Sequence, residues 1–205
     1  MNNKFTNFID PFLDYIDSGK LFRKPFDILY LVFAILNLLL PLFILYTGIK
    51  NDIFSTNFKF TITFILIWIS IVAASWIGFQ IWWNRRTKLN FSSNPEDEFV
   101  TTPSFSHFVQ TAGEWIGSWV AIVGTSFALF TTIIMGSESY YLTGMLGIPF
   151  LTGGFIFIIL MPIYGFLIII VSRFIAEQIR ALTSIANNTR KIQEVEEAEK
   201  LNQPY

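Results

Sequence analysis

The stretch FDILYLVFAILNLLLPLFILYTGI, Phe26–Ile49, decides the fold of this chain. It is long enough to cross a bilayer, since about 20 apolar residues suffice for a transmembrane helix. Three further runs, 58–83, 115–135 and 150–171, have the same character. The chain has 205 residues, of which 53% are hydrophobic and 14% charged, against about 25% charged in soluble domains. The sequence therefore predicts an all-α membrane protein with four transmembrane helices.

Basic residues are distributed unevenly around these runs. Of the 14 Lys and Arg residues, 12 lie before the first run, between the second and third runs, or after the fourth; only Lys50 and Lys59 lie elsewhere. Because basic loops stay on the cytoplasmic side during insertion, this distribution predicts that both termini are cytoplasmic. The first run is too long for the apolar part of a signal peptide and has no small-residue cleavage site after it, so we expect it to remain as a span.

The segment before the first run, residues 1–25, carries apolar side chains at helical spacing. This pattern predicts an amphipathic helix that lies in the membrane interface or packs on the cytoplasmic face of the protein itself. Ser18 and Gly19 are expected to end that helix before the transmembrane region, which we place at 26–172.

The segment after the last run, residues 173–205, is expected to continue the fourth span as a cytoplasmic helix. Apolar residues in it follow a spacing of three and four, which suits the seam of a short coiled coil or packing against other cytoplasmic elements. Asn187 and Asn188 are weak helix formers that could end its first half. The residues predicted to form this cytoplasmic interface are Ile175, Leu182, Ile185 and Ile192.

Residues 84–107 are predicted to form the one sizeable internal loop. It contains Pro95, an acidic cluster at 96–98 and a second proline, Pro103. We expect a solvated loop, with docking of a cytoplasmic partner as the alternative.

Small residues recur at four-residue intervals in the second and third spans. At this spacing they let two helix backbones approach closely. The third span has most of them, together with most of the polar side chains, so we expect it to be the central helix. The residues predicted to form helix-packing faces are Ser70, Ala74, Gly78, Gly113, Gly117, Ala121, Gly124 and Ala128.

Three polar residues are candidates for a functional role. Asn37 precedes Pro41 by four positions, and proline leaves the carbonyl four residues earlier without its helical partner. This region is therefore expected to face other helices or water, as a kink with interhelical hydrogen bonds or as a ligand or ion site. Glu114, about one turn inside the predicted boundary, is expected to be solvated, paired with an arginine, or functional. The arginines on the same side are Arg85, Arg86 and Arg173, the last of which is our third candidate.

Several function classes are disfavoured by composition. The chain has no cysteine, which excludes disulfides, thiolate metal sites and thiol nucleophiles. It has one histidine, His107, so a histidine-rich metal centre is not expected. A net charge of −1 gives no indication of a nucleic-acid partner. The sequence therefore predicts no catalytic residue, no metal site and no cofactor.

The segment RFIAEQIRAL, Arg173–Leu182, followed by IANNT at 185–189, resembles the end of a family of small bacterial membrane proteins of unknown function. In that family a last span runs into an Arg, a Glu and an Ile-Ala-x-Asn-Thr stretch. The resemblance implies a bacterial inner-membrane setting, and it implies no site.

Three hypotheses for function follow. The first is a non-enzymatic accessory or scaffold subunit of a membrane assembly, whose cytoplasmic helices bind a protein partner or a second copy. The second is a small homo-oligomeric channel or transporter, suggested by the polar third span. The third, an enzyme acting on lipid, needs clustered ionisable residues at the interface, and the sequence shows no such cluster.

Overall fold

The computed structural model describes residues 20–89, 101–139 and 154–201. Every regular element in these ranges is helical. The elements are α1 (Lys20–Lys50), α2 (Phe58–Leu89), α3 (Thr101–Trp119), α4 (Thr125–Phe130) and α5 (Phe155–Leu201). The prediction of a helical protein is confirmed for the described residues.

Four helical stretches are long and apolar enough to cross a membrane, as predicted. We call them the four spans, and they are Lys24–Lys50, Phe58–Thr87, Thr102–Glu138 and Phe155–Lys200. The predicted amphipathic segment 1–25 lies outside the described residues as far as residue 19. Its last six residues, 20–25, belong to α1.

The predicted internal loop is wrong at both ends. α2 continues to Leu89, and α3 begins at Thr101, fourteen positions before the predicted start of the third span at 115. Pro103 is compatible with this helix because it lies in the first turn, where a backbone N–H has no helical acceptor. The polar residues of 101–114 lower the hydropathy of this segment. The apolar run that begins at 115 therefore covers only part of the helix.

The third span is interrupted twice by π-helical turns. Val120–Gly124 separates α3 from α4, and Thr131–Met135 follows α4. Gly136 then ends the second π-helical turn, with a positive φ of 55° that favours glycine. A π-helical turn widens the helix locally and is frequently found at functional sites.

The turn between α1 and α2 is short and makes these helices antiparallel neighbours. Asp52 has φ of 53°, and the 3₁₀ turn Ile53–Ser55 follows it. The side chain of Asn57 then accepts a hydrogen bond from the backbone N–H of Lys59 at 3.2 Å, as an N-cap residue does. α1 packs along α2, α3 packs along α5, and α2 packs against the third span.

α3 and α5 approach each other closely at their glycines. A Cβ atom at Gly117 would lie 2.5 Å from the carbonyl oxygen of Gly165, and one at Gly113 would overlap Ser172. A Cβ at Gly124 would lie 2.9 Å from Met161 Sδ. These predicted packing residues therefore face one partner, and the paired glycines Gly117 and Gly165 set the crossing.

The other predicted packing residues have mixed surroundings. Ala74 and Ala128 are buried. A Cβ at Gly165 would lie 2.7 Å from Ala121, and one at Gly78 would overlap the Asn37 side chain. Ser70 donates a hydrogen bond to Leu66 of its own helix at 3.2 Å.

An aromatic core lies between α1, α2 and α3. Tyr30 and Trp82 are buried and meet edge to face with 5.0 Å between ring centroids. Phe33 stacks on Trp82 at 4.7 Å, and Phe108 and Trp115 of α3 lie at centroid distances of 5.8 and 5.9 Å from the same indole. These rings fix how α1 and α2 sit against α3.

The outer faces of α1 and α5 carry many exposed large apolar side chains. In water such surfaces would drive association, whereas in a bilayer they are solvated by lipid. Examples from both helices are Ile28, Leu42, Phe43, Phe155, Ile159 and Phe166.

α5 is the longest element and remains helical through Asn187 and Asn188, so the predicted interruption there is wrong. Its 47 residues correspond to about 70 Å at 1.5 Å per residue, whereas the hydrocarbon core of a bilayer is about 30 Å thick. Side chains from 184 to 200 are exposed, apart from the half-buried Asn187. We call residues 184–201 the α5 extension.

We predict that Gly117→Ala destabilises the protein more than Gly48→Ala does. Both changes gain helix propensity, but the Cβ at 117 meets a backbone carbonyl, whereas the Cβ at 48 meets the end of the Phe64 ring, which can rotate away. Overpacking at 117 should cost about 1–3 kcal/mol. Thermal unfolding in detergent measures the difference, and equal midpoints for the two variants would contradict the described crossing.

Candidate functional site

Three helices meet at Glu114 of α3. Its Oε1 accepts hydrogen bonds from Nη2 of Arg85 on α2 at 2.8 Å, and from Nε and Nη2 of Arg173 on α5 at 3.1 and 2.8 Å. Its Oε2 accepts a further bond from Arg85 Nη2 at 2.7 Å. Gln110, one turn earlier on α3, donates from Nε2 to Oε1 at 3.0 Å. We call these four residues the Glu114 cluster.

The local sequence explains why this convergence is possible. Gly113 and Gly117 lie on either side of Glu114 and let α5 approach closely enough for Arg173 to reach the carboxylate. Arg85 lies near the end of α2, which packs on the other side of α3. A carboxylate between these two helices can therefore bond to both.

The charged side chains of the cluster differ in their exposure to solvent. The side chain of Glu114 is 11% exposed and that of Arg85 is 23% exposed, whereas that of Arg173 is 53% exposed. Charge-assisted hydrogen bonds are stronger than neutral ones, and the loss of one partner of a buried ion pair is strongly destabilising. Since two guanidinium groups share one carboxylate, the cluster has one positive charge in excess.

A second ion pair lies at the same end of the helices. Arg86 on α2 donates to both oxygens of Asp27 on α1, at 2.5 and 2.7 Å. The Arg86 guanidinium also lies 6.0 Å from the centre of the Trp83 ring. This bidentate pair joins α1 to α2, as the Glu114 cluster joins α2, α3 and α5.

A buried hydroxyl network involves the single histidine. Tyr30 Oη lies 2.9 Å from His107 Nδ1 and donates to Thr111 Oγ1 at 3.2 Å. Thr111 in turn donates to the backbone carbonyl of His107 at 2.8 Å. All three bonds form together when the histidine proton is on Nδ1. His107 therefore has a structural partner that the sequence did not reveal.

Asn37 makes hydrogen bonds both within α1 and to α3. Its Oδ1 accepts from Trp115 Nε1 on α3 at 2.8 Å, and its Nδ2 donates to the Phe33 carbonyl at 2.8 Å. The carbonyl of Pro41 accepts from Trp68 Nε1 on α2 at 2.9 Å. An open groove of about 440 Å³ borders this region and is lined by Phe33, Leu36, Asn37, Leu39, Leu40, Phe43 and Trp115.

Two of the three polar candidates, Glu114 and Arg173, form an ion pair with each other. Asn37 is connected to them through Trp115, the residue that follows Glu114. The predicted cytoplasmic interface residues Ile175, Leu182, Ile185 and Ile192 are all exposed.

Sequence reasoning missed Gln110, Asp27 and Tyr30 as members of these networks. Asp27 carries the signal that could have found it, because it is an acidic residue within the first apolar run, opposite a basic loop. Tyr30 and Gln110 carry no comparable signal, since the first reads as one more aromatic residue and the second as an ordinary polar residue.

The Glu114 carboxylate acts as a hydrogen-bond acceptor in this cluster. The carboxylate already accepts from three side chains and has no donor function while ionised. Among residues 20–89, 101–139 and 154–201, no group of three or more His, Cys, Asp or Glu side chains is placed to hold a metal ion.

Comparisons with protein-family models, with curated proteins and with solved structures find no match.

We predict that Glu114→Gln lowers the free energy of unfolding by about 3 kcal/mol, because it leaves two arginines without their counter-charge. Glu194→Gln is the matched control, since it removes the same charge from an exposed pair with Arg190 on α5. Exposed pairs of this kind contribute about 0.5 kcal/mol. Unfolding in detergent compares the two, and equal losses would show that the cluster does not stabilise the fold.

Proposed function

We propose that this chain is a four-span protein of a bacterial inner membrane, with both termini cytoplasmic, that acts as a non-enzymatic accessory or scaffold subunit of a membrane assembly. The orientation is supported by the concentration of basic residues at the end of the helices that holds the Glu114 cluster. The spanning itself is supported by four helices of sufficient length and apolarity.

The observation that carries the functional proposal is the α5 extension. α5 is more than twice as long as a span requires, so over half of it lies beyond the hydrocarbon core. The extension has exposed Ile185, Ile192 and Val195, and Leu182 lies one turn before it. An exposed helix of this length is marginally stable alone in water. Binding of a protein to its apolar face would stabilise it.

The exposed apolar positions of the extension lie on one side of the helix. From Leu182 the spacings are three, seven and three residues, and Thr189 occupies the position between Ile185 and Ile192. This is the periodicity of a helix that contacts another helix. The partner is a protein of the assembly or a second copy of this chain, bound on the cytoplasmic side.

We predict that the double variant Ile185→Glu/Ile192→Glu loses the association, because two charges would be buried against the partner. Ser184→Glu/Ala198→Glu is the matched control, with the same added charge at exposed positions on another side of the helix. Full-length protein purified in mild detergent is expected to co-elute with a partner or as an oligomer, and only the first variant should elute alone. A wild-type protein that is monomeric without any co-purifying protein would contradict the proposal.

A second candidate, a small homo-oligomeric channel or transporter, is favoured by one observation. Buried polar atoms in the second and third spans have no hydrogen-bond partner among the described residues, and a water-lined path would satisfy them. This candidate ranks second because α2 has no charged residue between Lys59 and Arg85, and transport sites usually have ionisable groups at mid-membrane. The unpaired atoms are Thr63 Oγ1, Ser75 Oγ, Trp82 Nε1, Trp119 Nε1 and Thr125 Oγ1.

Solute flux distinguishes the two candidates. Vesicles containing the purified protein are expected to show the same ion flux as empty vesicles under imposed gradients. Flux above that background, abolished by Thr125→Val, would replace the scaffold proposal by the channel.

A further inference from the structure

The Glu114 cluster continues along α5 to a second exposed arginine. Nη2 of Arg180 donates to Oε1 of Gln110 at 2.7 Å, and its Nε donates to the Ala176 carbonyl at 3.2 Å. Since Gln110 also donates to Glu114, one amide connects Arg180 to the carboxylate that holds Arg173. The two arginines of α5 are therefore held in position through the same pair of α3 residues.

Positive charge exceeds negative charge around these arginines. Among the described residues, Arg85 and Arg173 share the carboxylate of Glu114, and Arg180 is bonded only to uncharged acceptors. Glu177, between the two arginines on α5, is exposed and has no ion pair among the described residues. Even when Glu177 is included, three guanidinium groups face two carboxylates. An anion at this position would restore neutrality.

Arg173 presents unused donors to that anion. Its Nε and Nη2 are both directed at Glu114 Oε1, while its Nη1 has no hydrogen-bond partner among the described residues. The bonds to Glu114 fix the plane of the guanidinium, and half of the side chain is exposed. A planar, fixed guanidinium with a free edge is well suited to a phosphate oxygen, because little side-chain entropy remains to be lost.

An apolar strip adjoins the arginines on the side of the membrane core. It consists of exposed side chains of α5 that precede or follow Arg173 directly, within two turns of the helix. Free phosphate would gain nothing from such a strip, whereas the acyl chains of a phospholipid would lie along it. The strip is formed by Phe166 and Ile170, which lie seven and three residues before Arg173 and therefore on its side of the helix, and by Phe174, which follows it.

We propose that Arg173 and Arg180 bind the phosphate group of an anionic membrane phospholipid whose acyl chains lie along this strip. Basic residues between helices on the cytoplasmic side are a recognised setting for anionic lipid headgroups. The site is independent of the α5 extension, so it stands or falls separately from the scaffold proposal.

The test is native mass spectrometry of the full-length protein, titrated with phosphatidylglycerol or phosphatidylcholine in the same detergent. The wild type is expected to bind phosphatidylglycerol more tightly than phosphatidylcholine. Arg180→Gln should weaken phosphatidylglycerol binding by about fivefold, the effect of one basic residue near an anionic lipid. Arg173→Gln should weaken it further, but that variant also loses a partner of Glu114, so Arg180→Gln is the decisive one.

Arg190→Gln is the matched control on the same helix. Position 190 is 17 residues beyond Arg173, about 25 Å along the axis, which exceeds a Debye length at physiological ionic strength. Its binding should equal that of the wild type. An excess of inorganic phosphate should leave phosphatidylglycerol bound. Equal binding of the two lipids, equal losses in Arg180→Gln and Arg190→Gln, or displacement by inorganic phosphate would each overturn the proposal.

Discussion

The arrangement of the helices depends on one buried carboxylate that two arginines share. Glu114 on α3 is bonded to Arg85 on α2 and to Arg173 on α5, so the rotation of three helices is constrained at one point. Glycines on either side of it bring α5 close enough for the bond to form. If any of the three helices turned about its axis, a charge would be left without its partner, which is costly where water is scarce. Asp27 and Arg86 impose the same constraint on α1 and α2.

This constraint explains why a helix with many polar side chains can lie at the centre. α3 contacts α2 on one side and α5 on the other, and two of its polar side chains bond to neighbouring helices. Ser106 donates to the Ala176 carbonyl on α5 at 2.9 Å, and Trp115 donates to Asn37 on α1 at 2.8 Å. The outer faces of α1 and α5 therefore need only apolar side chains, and they carry many exposed apolar side chains. This packing leaves two features without a structural role, namely the exposed α5 extension and the excess of arginine charge. Each of them supports one of the binding proposals.

The sequence was sufficient to predict four helices because their apolar runs are long, and it was sufficient to predict that α3 packs closely, because small residues recur along it. It understated α3 because Thr101–Gly113 has many polar side chains, which give this segment a lower hydropathy than the apolar run that follows. The π-helical turns could not be predicted, since they are a property of backbone hydrogen bonding with no residue signature here. Glu114 could be matched to several arginines by charge alone, whereas the choice among them depended on helix rotation. The contact between Tyr30 and His107 joins residues 77 positions apart. It could not be predicted either, because it also depends on helix rotation.

The proposed topology places the Glu114 cluster and the α5 extension on one side of a membrane and the turn between α1 and α2 on the other. Because the chain has no cysteine, single cysteines report their own position. Thr56→Cys in the turn and Thr189→Cys in the extension, both at exposed positions, are treated in intact cells with a thiol reagent that cannot cross membranes. The Thr56→Cys variant is expected to be labelled in intact cells. The Thr189→Cys variant is expected to be labelled only after the cells are opened. Labelling of both positions from the same side would contradict the proposed topology.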